Sequence, residues 1–181
     1  MAASSWFGKM LGKALTLANL DDLLVQQLED LYSAENQLIA ALPKMANAAS
    51  SSRLKTAFEA HLQDTLRHKK RLEKVFKALG VEPSTEKCEA MAGLISEGQE
   101  IINTLGDPDV KDAALIAAAQ RVEHYEIAGY GCARSFARRL AKDEVAQQLQ
   151  DTLAEEVQTD QLLTEIAESE INQNAAQLAQ K

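Results

Sequence analysis

Apolar residues recur at helical spacing through four long stretches of this chain, and no stretch shows the sustained apolar–polar alternation of a half-buried strand. The first runs from about Leu20 to Ala49, with Leu23, Leu24, Leu28, Leu31, Leu38 and Leu42 on its apolar stripe. Ser50-Ser51-Ser52 breaks it and supplies an N-cap. A second continues to about Leu79 with Leu54, Phe58, Leu62, Leu72, Val75 and Phe76, and Gly80 suits its C-terminal cap. Ser84 and Thr85 are expected to open a shorter helix ending near Gly106. Asp107-Pro108, a capping residue followed by proline at the first helical position, starts the third long helix. It reaches about Ala141, and Asp143 is expected to cap the fourth, which extends into the 170s. Pro43 removes a backbone donor near the end of the first helix and is expected to bend it.

Short turns join helices one and two, and helices three and four, so each pair forms an antiparallel hairpin. The expected fold is all-α: a four-helix bundle over residues 19–181, with an additional short helix between helices two and three. Alanine, 30 of 181 residues, lets such helices approach closely, and the 4% aromatic content argues against β-sandwiches and barrels. Residues 1–18 stand apart as an amphipathic extension in which Trp6, Phe7, Met10, Leu11, Ala14 and Leu15 alternate with Lys9 and Lys13. It either docks on its own bundle or frays in solution, or, in the sharper reading, meets a partner or membrane surface.

A net charge of −8 opposes binding to phosphate backbones, so no nucleic-acid partner is expected. No apolar run reaches the roughly 18 residues of a membrane span, and the N-terminus lacks the pattern of a secretory signal. With only two cysteines, Cys88 and Cys132, the expected setting is cytoplasmic and reduced.

Several carboxylates fall on or beside the apolar stripes, where a lone buried charge must be protonated, paired or bound to a cation. Glu35 lies among Leu31, Leu38 and Leu42; Glu123 and Glu126 lie between Ile116 and Ile127. Glu156 and Asp160 sit among Leu153, Leu163 and Ile166, and Asp64 and His68 among Leu62, Leu72 and Val75. Glu35 precedes Asp64 by 29 residues and Glu126 precedes Glu156 by 30, and a turn divides each interval about equally. In an antiparallel hairpin, equal distances from the turn place two residues at one height. The second helix of each hairpin adds a donor four residues on, His68 after Asp64 and Asp160 after Glu156.

Folding the hairpins together converges Glu35, Asp64, His68, Glu123, Glu126, Glu156 and Asp160 at mid-bundle. Di-iron and di-manganese carboxylate bundles carry one Glu on each of two helices and Glu-x-x-His on the other two. This chain departs from that pattern: its pairs are four apart, and the second ends in aspartate. Carboxylates with imidazole suit iron or manganese better than zinc or copper. The competing reading is a charge-paired core with solvated helix faces. His61 and His124 are expected beside the site without ligating, and Tyr32, Tyr125 and Tyr130 flank it.

Leu31-Tyr32-Ser33-Ala34-Glu35 and Phe58-Glu59-Ala60-His61-Leu62, leading into Asp64-Thr65, resemble signatures of the YciE/YciF-type ferritin-like family of bacterial stress proteins. So do Arg121-Val122-Glu123-His124-Tyr125-Glu126-Ile127-Ala128-Gly129-Tyr130-Gly131 and Ala154-Glu155-Glu156 with Thr159-Asp160. The resemblance covers about residues 20–170. It implies a ferritin-like bundle with an extra short helix, a homodimer, a di-metal centre and a role in stress response, with no settled reaction. Glu123-x-x-Glu126 also looks like the two-glutamate helix of rubrerythrins, which are di-iron peroxidases. Two functions follow: a metal protein acting on peroxide, O2 or iron itself, or a non-catalytic helical dimer with a weak or vestigial metal site.

Overall fold

The computed structural model describes residues 17–84 and 86–178. Helix α1 (Leu20–Ala48) and helix α2 (Ser52–Leu79) form the first hairpin. Helix α3 (Glu89–Asn103) lies in the long connection, and α4 (Pro108–Arg139) and α5 (Asp143–Ile166) form the second hairpin. A π-helical turn, Ala167–Ile171, carries α5 into α6 (Asn172–Leu178). α1 packs on α2 and α4, and α5 packs on α4 and α2, which closes a four-helix ring; α3 lies against α1 and α4 outside it. Among the described residues, no helix is long and apolar enough to cross a membrane. The amphipathic extension expected over residues 1–18 lies outside the described residues except for its last two positions.

Local chemistry sets the helix ends. Asn19 accepts from the Asp22 amide at 2.9 Å, Ser51 from Leu54 at 3.3 Å, and Asp107 from Asp109 at 2.9 Å. Gly80 ends α2 at φ 70°, a left-handed conformation that glycine adopts without a Cβ clash. Two expectations shift. The short helix begins at Glu89 because its approach is tied to α1: the Cys88 amide donates to Ser33 Oγ at 2.8 Å, and Gln37 Nε2 donates to the Cys88 carbonyl at 3.0 Å. Residue 143 is the first residue of α5, and Lys142 holds the cap position without a side-chain hydrogen bond.

Two apolar clusters fill the bundle. One gathers Leu38, Leu42, Leu54, Phe58, Leu115 and Leu163 toward the α1–α2 turn. The other gathers Leu24, Leu28, Leu72, Phe76, Tyr130 and Leu149 toward the α4–α5 turn. α1 and α4 approach closely at Gly129, where a Cβ would lie 2.8 Å from Leu31 Cδ2. Leu31 is itself fully buried and has little room to yield.

Asp112 on α4 is wholly buried and holds the α1–α2 turn. It accepts from the Ser50 amide at 3.0 and 3.1 Å and from the Ser51 amide at 2.7 Å. Asp112→Ala strands these amides and should lower stability by about 2–3 kcal/mol, because hydrogen bonds to a charged group are stronger than neutral ones. Asp112→Asn, which keeps one acceptor oxygen, should recover part of that loss in chemical denaturation. Equal midpoints for Asp112→Ala and the parent protein would show that the turn is held by other contacts.

Candidate metal centre

Between the two apolar clusters lies a polar layer. Glu35, His61, Thr65, His68, Glu123, Glu126, Thr152 and Glu156 are all buried. Each helix of the ring contributes from its inward stripe: Glu35 between Leu31 and Leu38 on α1, and His61 and His68 between Phe58 and Leu72 on α2. Glu123 and Glu126 precede Tyr130 on α4, and Glu156 lies between Leu149 and Leu163 on α5.

Two groups of donor atoms converge here, each with its atoms within 4.8 Å of one another: His61, Glu123, Glu126 and Glu156, and Glu35, His68 and Glu156. Glu156 belongs to both. His61 Nε2 lies 3.2 Å from a Glu123 oxygen. His68 Nδ1 lies 2.9 Å from Glu156 Oε1 and 3.5 Å from Glu35 Oε1. On its other side, His68 Nε2 lies 2.7 Å from Glu155 Oε2. Glu155 is itself gripped by Arg71 at 2.8 and 3.1 Å. An ionised Glu155 can only accept, so Nε2 donates to it. Nδ1 of a neutral ring then presents its lone pair to the centre, as an outer carboxylate orients a metal-binding imidazole. Tyr130 Oη donates to Glu35 Oε1 at 2.5 Å.

Five of the seven residues expected from the sequence meet in this layer: Glu35, His68, Glu123, Glu126 and Glu156. Asp64 and Asp160 do not. Asp64 turns outward to pair with Arg67 on its own helix. At about 100° per residue, it sits roughly 40–60° around α2 from the direction shared by His61 and His68, which are seven residues apart. Asp160, one turn beyond Glu156, receives a hydrogen bond from Gln120 at 3.1 Å and lies 3.4 Å from His124 Nε2. His61, expected beside the site, stands inside it; His124 is largely exposed. Glu155 and Arg71 were missed. Their signal was the position of Glu155 beside Glu156, where it can reach the outer side of a neighbouring imidazole.

Burial sets the electrostatics. It pushes Glu35 up to about 8, with the Glu156 charge adding to the effect. Burial likewise raises Glu123 to about 7 against the pull of His61, and lifts Glu126 well above the usual carboxylate range. Glu156 is held low: burial opposes its charge, but the adjacent His68 and His61 imidazoles prevail. Burial disfavours a charged His61, yet Glu123 and its neighbours raise it to about 9, and His68 is raised in the same way, chiefly by Glu156.

The donor set fits a pair of divalent cations. Of the ten buried side-chain nitrogen and oxygen atoms without a hydrogen-bond partner among the described residues, nine belong to these four glutamates and two histidines. Both oxygens of Glu126 and both of Glu156 are among them. Natural interiors rarely leave buried polar atoms unpaired, so a cluster of them calls for an ion or water. Four ionised carboxylates would balance two dications, and four glutamates with two histidines is the ligand composition of di-iron carboxylate bundles. Here both imidazoles come from one helix.

A family model described as Domain of unknown function (DUF892) matches residues 19–176. Protein YciF of Escherichia coli (strain K12) is 42% identical over 162 residues, covering 89% of this chain and 98% of that protein. The crystal structure of the E. coli stress protein YciF matches with a TM-score of 0.84 at 43% identity, covering 86% of this chain and 99% of the other. A structure described as ferritin like, diiron-carboxylate proteins from Bacillus anthracis shares the fold, with a TM-score of 0.65 at 20% identity, over 83% of this chain and 99% of the other.

Proposed function

This chain belongs to the DUF892 family, and from that starting point we propose that its mid-bundle centre binds two divalent metal ions, iron before manganese. The observation that carries the reading is the concentration of unpartnered buried donor atoms on six convergent side chains. His61, Glu123 and Glu126 would hold one ion, Glu35 and His68 the other, and Glu156 would serve both. Oxygen donors with two imidazoles suit iron(II) and manganese(II). When bound, a pair of iron ions supplies two-electron chemistry toward dioxygen or peroxide. The protein's own part is to orient His68 through Glu155, to fix Glu35 through Tyr130, and to keep bulk water out with the apolar layers above and below. The stress-protein description of the E. coli relative is consistent with such chemistry.

Anaerobic titration of the metal-free protein with iron(II), followed by metal analysis after desalting, should give about two ions per chain. Well under one ion per chain would reject the centre and favour the non-catalytic reading. The homodimer belongs to the same proposal, and light scattering on that sample should give twice the 19.8 kDa chain mass.

A further inference from the structure

A cleft between α1, α3 and α4 leads from the surface to the centre, and His61 and Glu123 lie in its wall. We propose that it admits a small uncharged oxidant, dioxygen or hydrogen peroxide, to the ions; this rests on the metal reading above. The walls are almost wholly apolar, formed by Leu38, Leu42, Met45, Leu94, Ile95 and Val122. Protein interiors leave few voids larger than a water molecule. This one has a volume of about 50 Å³ and reaches the buried His61 imidazole, whose nitrogens have no hydrogen-bond partner among the described residues.

Polarity selects the occupant. The space is bounded almost entirely by apolar side chains, which suits a small uncharged molecule. A hydrated cation would lose its water to apolar walls, and the exposed Lys44 lining the cleft repels it. Gly98 lines the space, and a Cβ there would meet Met45 Sδ at 3.8 Å, an ordinary contact, so a larger side chain at this position is needed to fill it. α3, the helix outside the four-helix ring, thereby forms one wall of the approach to the centre. Either oxidant takes two electrons from two iron(II) ions together with two protons. Dioxygen gives hydrogen peroxide, and hydrogen peroxide gives two waters.

Xenon, a small apolar probe, tests the cleft in the metal-free protein, with backbone amide resonances as the readout. Saturable shifts are expected at Gly98, Ala119 and Val122, and both Gly98→Leu and Leu94→Trp should remove them. In the iron(II)-loaded protein, the same substitutions should slow oxidation at least tenfold while anaerobic iron stoichiometry stays unchanged. Separate dioxygen and peroxide arms identify the faster oxidant. Leu94 is half-buried, so Leu94→Trp carries the test if Gly98→Leu does not fold. Absence of xenon shifts in the parent protein, or parent-like oxidation in variants that exclude xenon, overturns the proposal while full iron binding leaves the metal reading intact. Failure to bind iron at all removes the metal reading, and this proposal with it.

Discussion

Glu156→Ala should lose both metal ions and also destabilise the metal-free bundle. Glu156 is common to both donor groups, so its removal opens each of them. It is also the carboxylate that His68 and His61 hold in its charged form at full burial. Taking away one partner of a buried ion pair leaves the other uncompensated and typically costs about 3–5 kcal/mol. At roughly 2–4 °C per kcal/mol for a chain of this size, the melting temperature should fall by about 10 °C. Glu126 gives the contrast. Neither of its oxygens has a hydrogen-bond partner among the described residues, and burial raises its pKa well above the usual range, which favours the neutral acid in the metal-free protein. Glu126→Leu replaces that unpaired group with apolar volume. It should weaken metal uptake strongly while leaving the metal-free melting temperature unchanged or higher. Calorimetry of both variants with and without manganese(II) separates the roles. Two ions bound by Glu156→Ala, or a collapse of metal-free Glu126→Leu, would mean that the carboxylates serve structural pairing.

The second large effect is on pH dependence. His61 moves from an ordinary 6.5 to about 9 in the folded protein, so the stability it contributes is complete below 6.5 and lost as pH rises through 9. Glu35, raised from 4.5 to about 8, adds no penalty below 4.5 and an increasing one as pH climbs to 8; Glu123, raised to about 7, acts with the same sign. The folded state thus holds more protons than the unfolded chain between about pH 4.5 and 9, and linkage requires stability to fall across that window. Glu156 works in the opposite sense, since its lowered pKa contributes stability above 4.5 that is lost in acid. The metal-free protein should therefore be most stable near pH 5. Metal ions replace the extra protons, so affinity should rise toward pH 9, and the melting-temperature increment from manganese(II) should be much larger at pH 8 than at pH 5.5. A metal-free melting temperature that climbs from pH 5 to 9, or an increment independent of pH, would contradict this account of the centre.

Much of this arrangement was legible because a helix spaces its inward positions regularly. Counting equal distances from the hairpin turns located Glu35, Glu126 and Glu156 at one height, and the shared stripe added Glu123 and His68. The error lay in pairing each acid with a donor four residues on. Seven-residue rows are the better guide. Leu54, His61, His68 and Val75 form one such row on α2, and Ile116, Glu123, Tyr130 and Ala137 form another on α4, all of them buried. Leu149, Glu156 and Leu163 do the same on α5. A polar residue that takes the place of an apolar one in a seven-residue row points into the bundle. Asp64 belongs to no such row; Asp160 follows Ala146 and Leu153 in a row that is only partly buried at Leu153, and it meets Gln120 and His124 instead of the centre.

Hydrophobic period, capping residues and turn placement, all local in the chain, were enough to determine the all-α hairpins and the level at which acids gather, since each acts within a few residues. Which nitrogen of His68 faces the centre, and whether α3 starts at Ser84 or Glu89, depended on Glu155, Arg71, Ser33 and Gln37, residues from other helices. The same holds for Asp112, which reads as an unremarkable acid near a helix start until the fold brings it beneath the amides of a turn some 60 residues away. Short-range periodicity fixes which face of a helix is inward, but hydrogen bonds between helices form only once those faces are docked. The final ligand geometry was therefore decided by the tertiary structure.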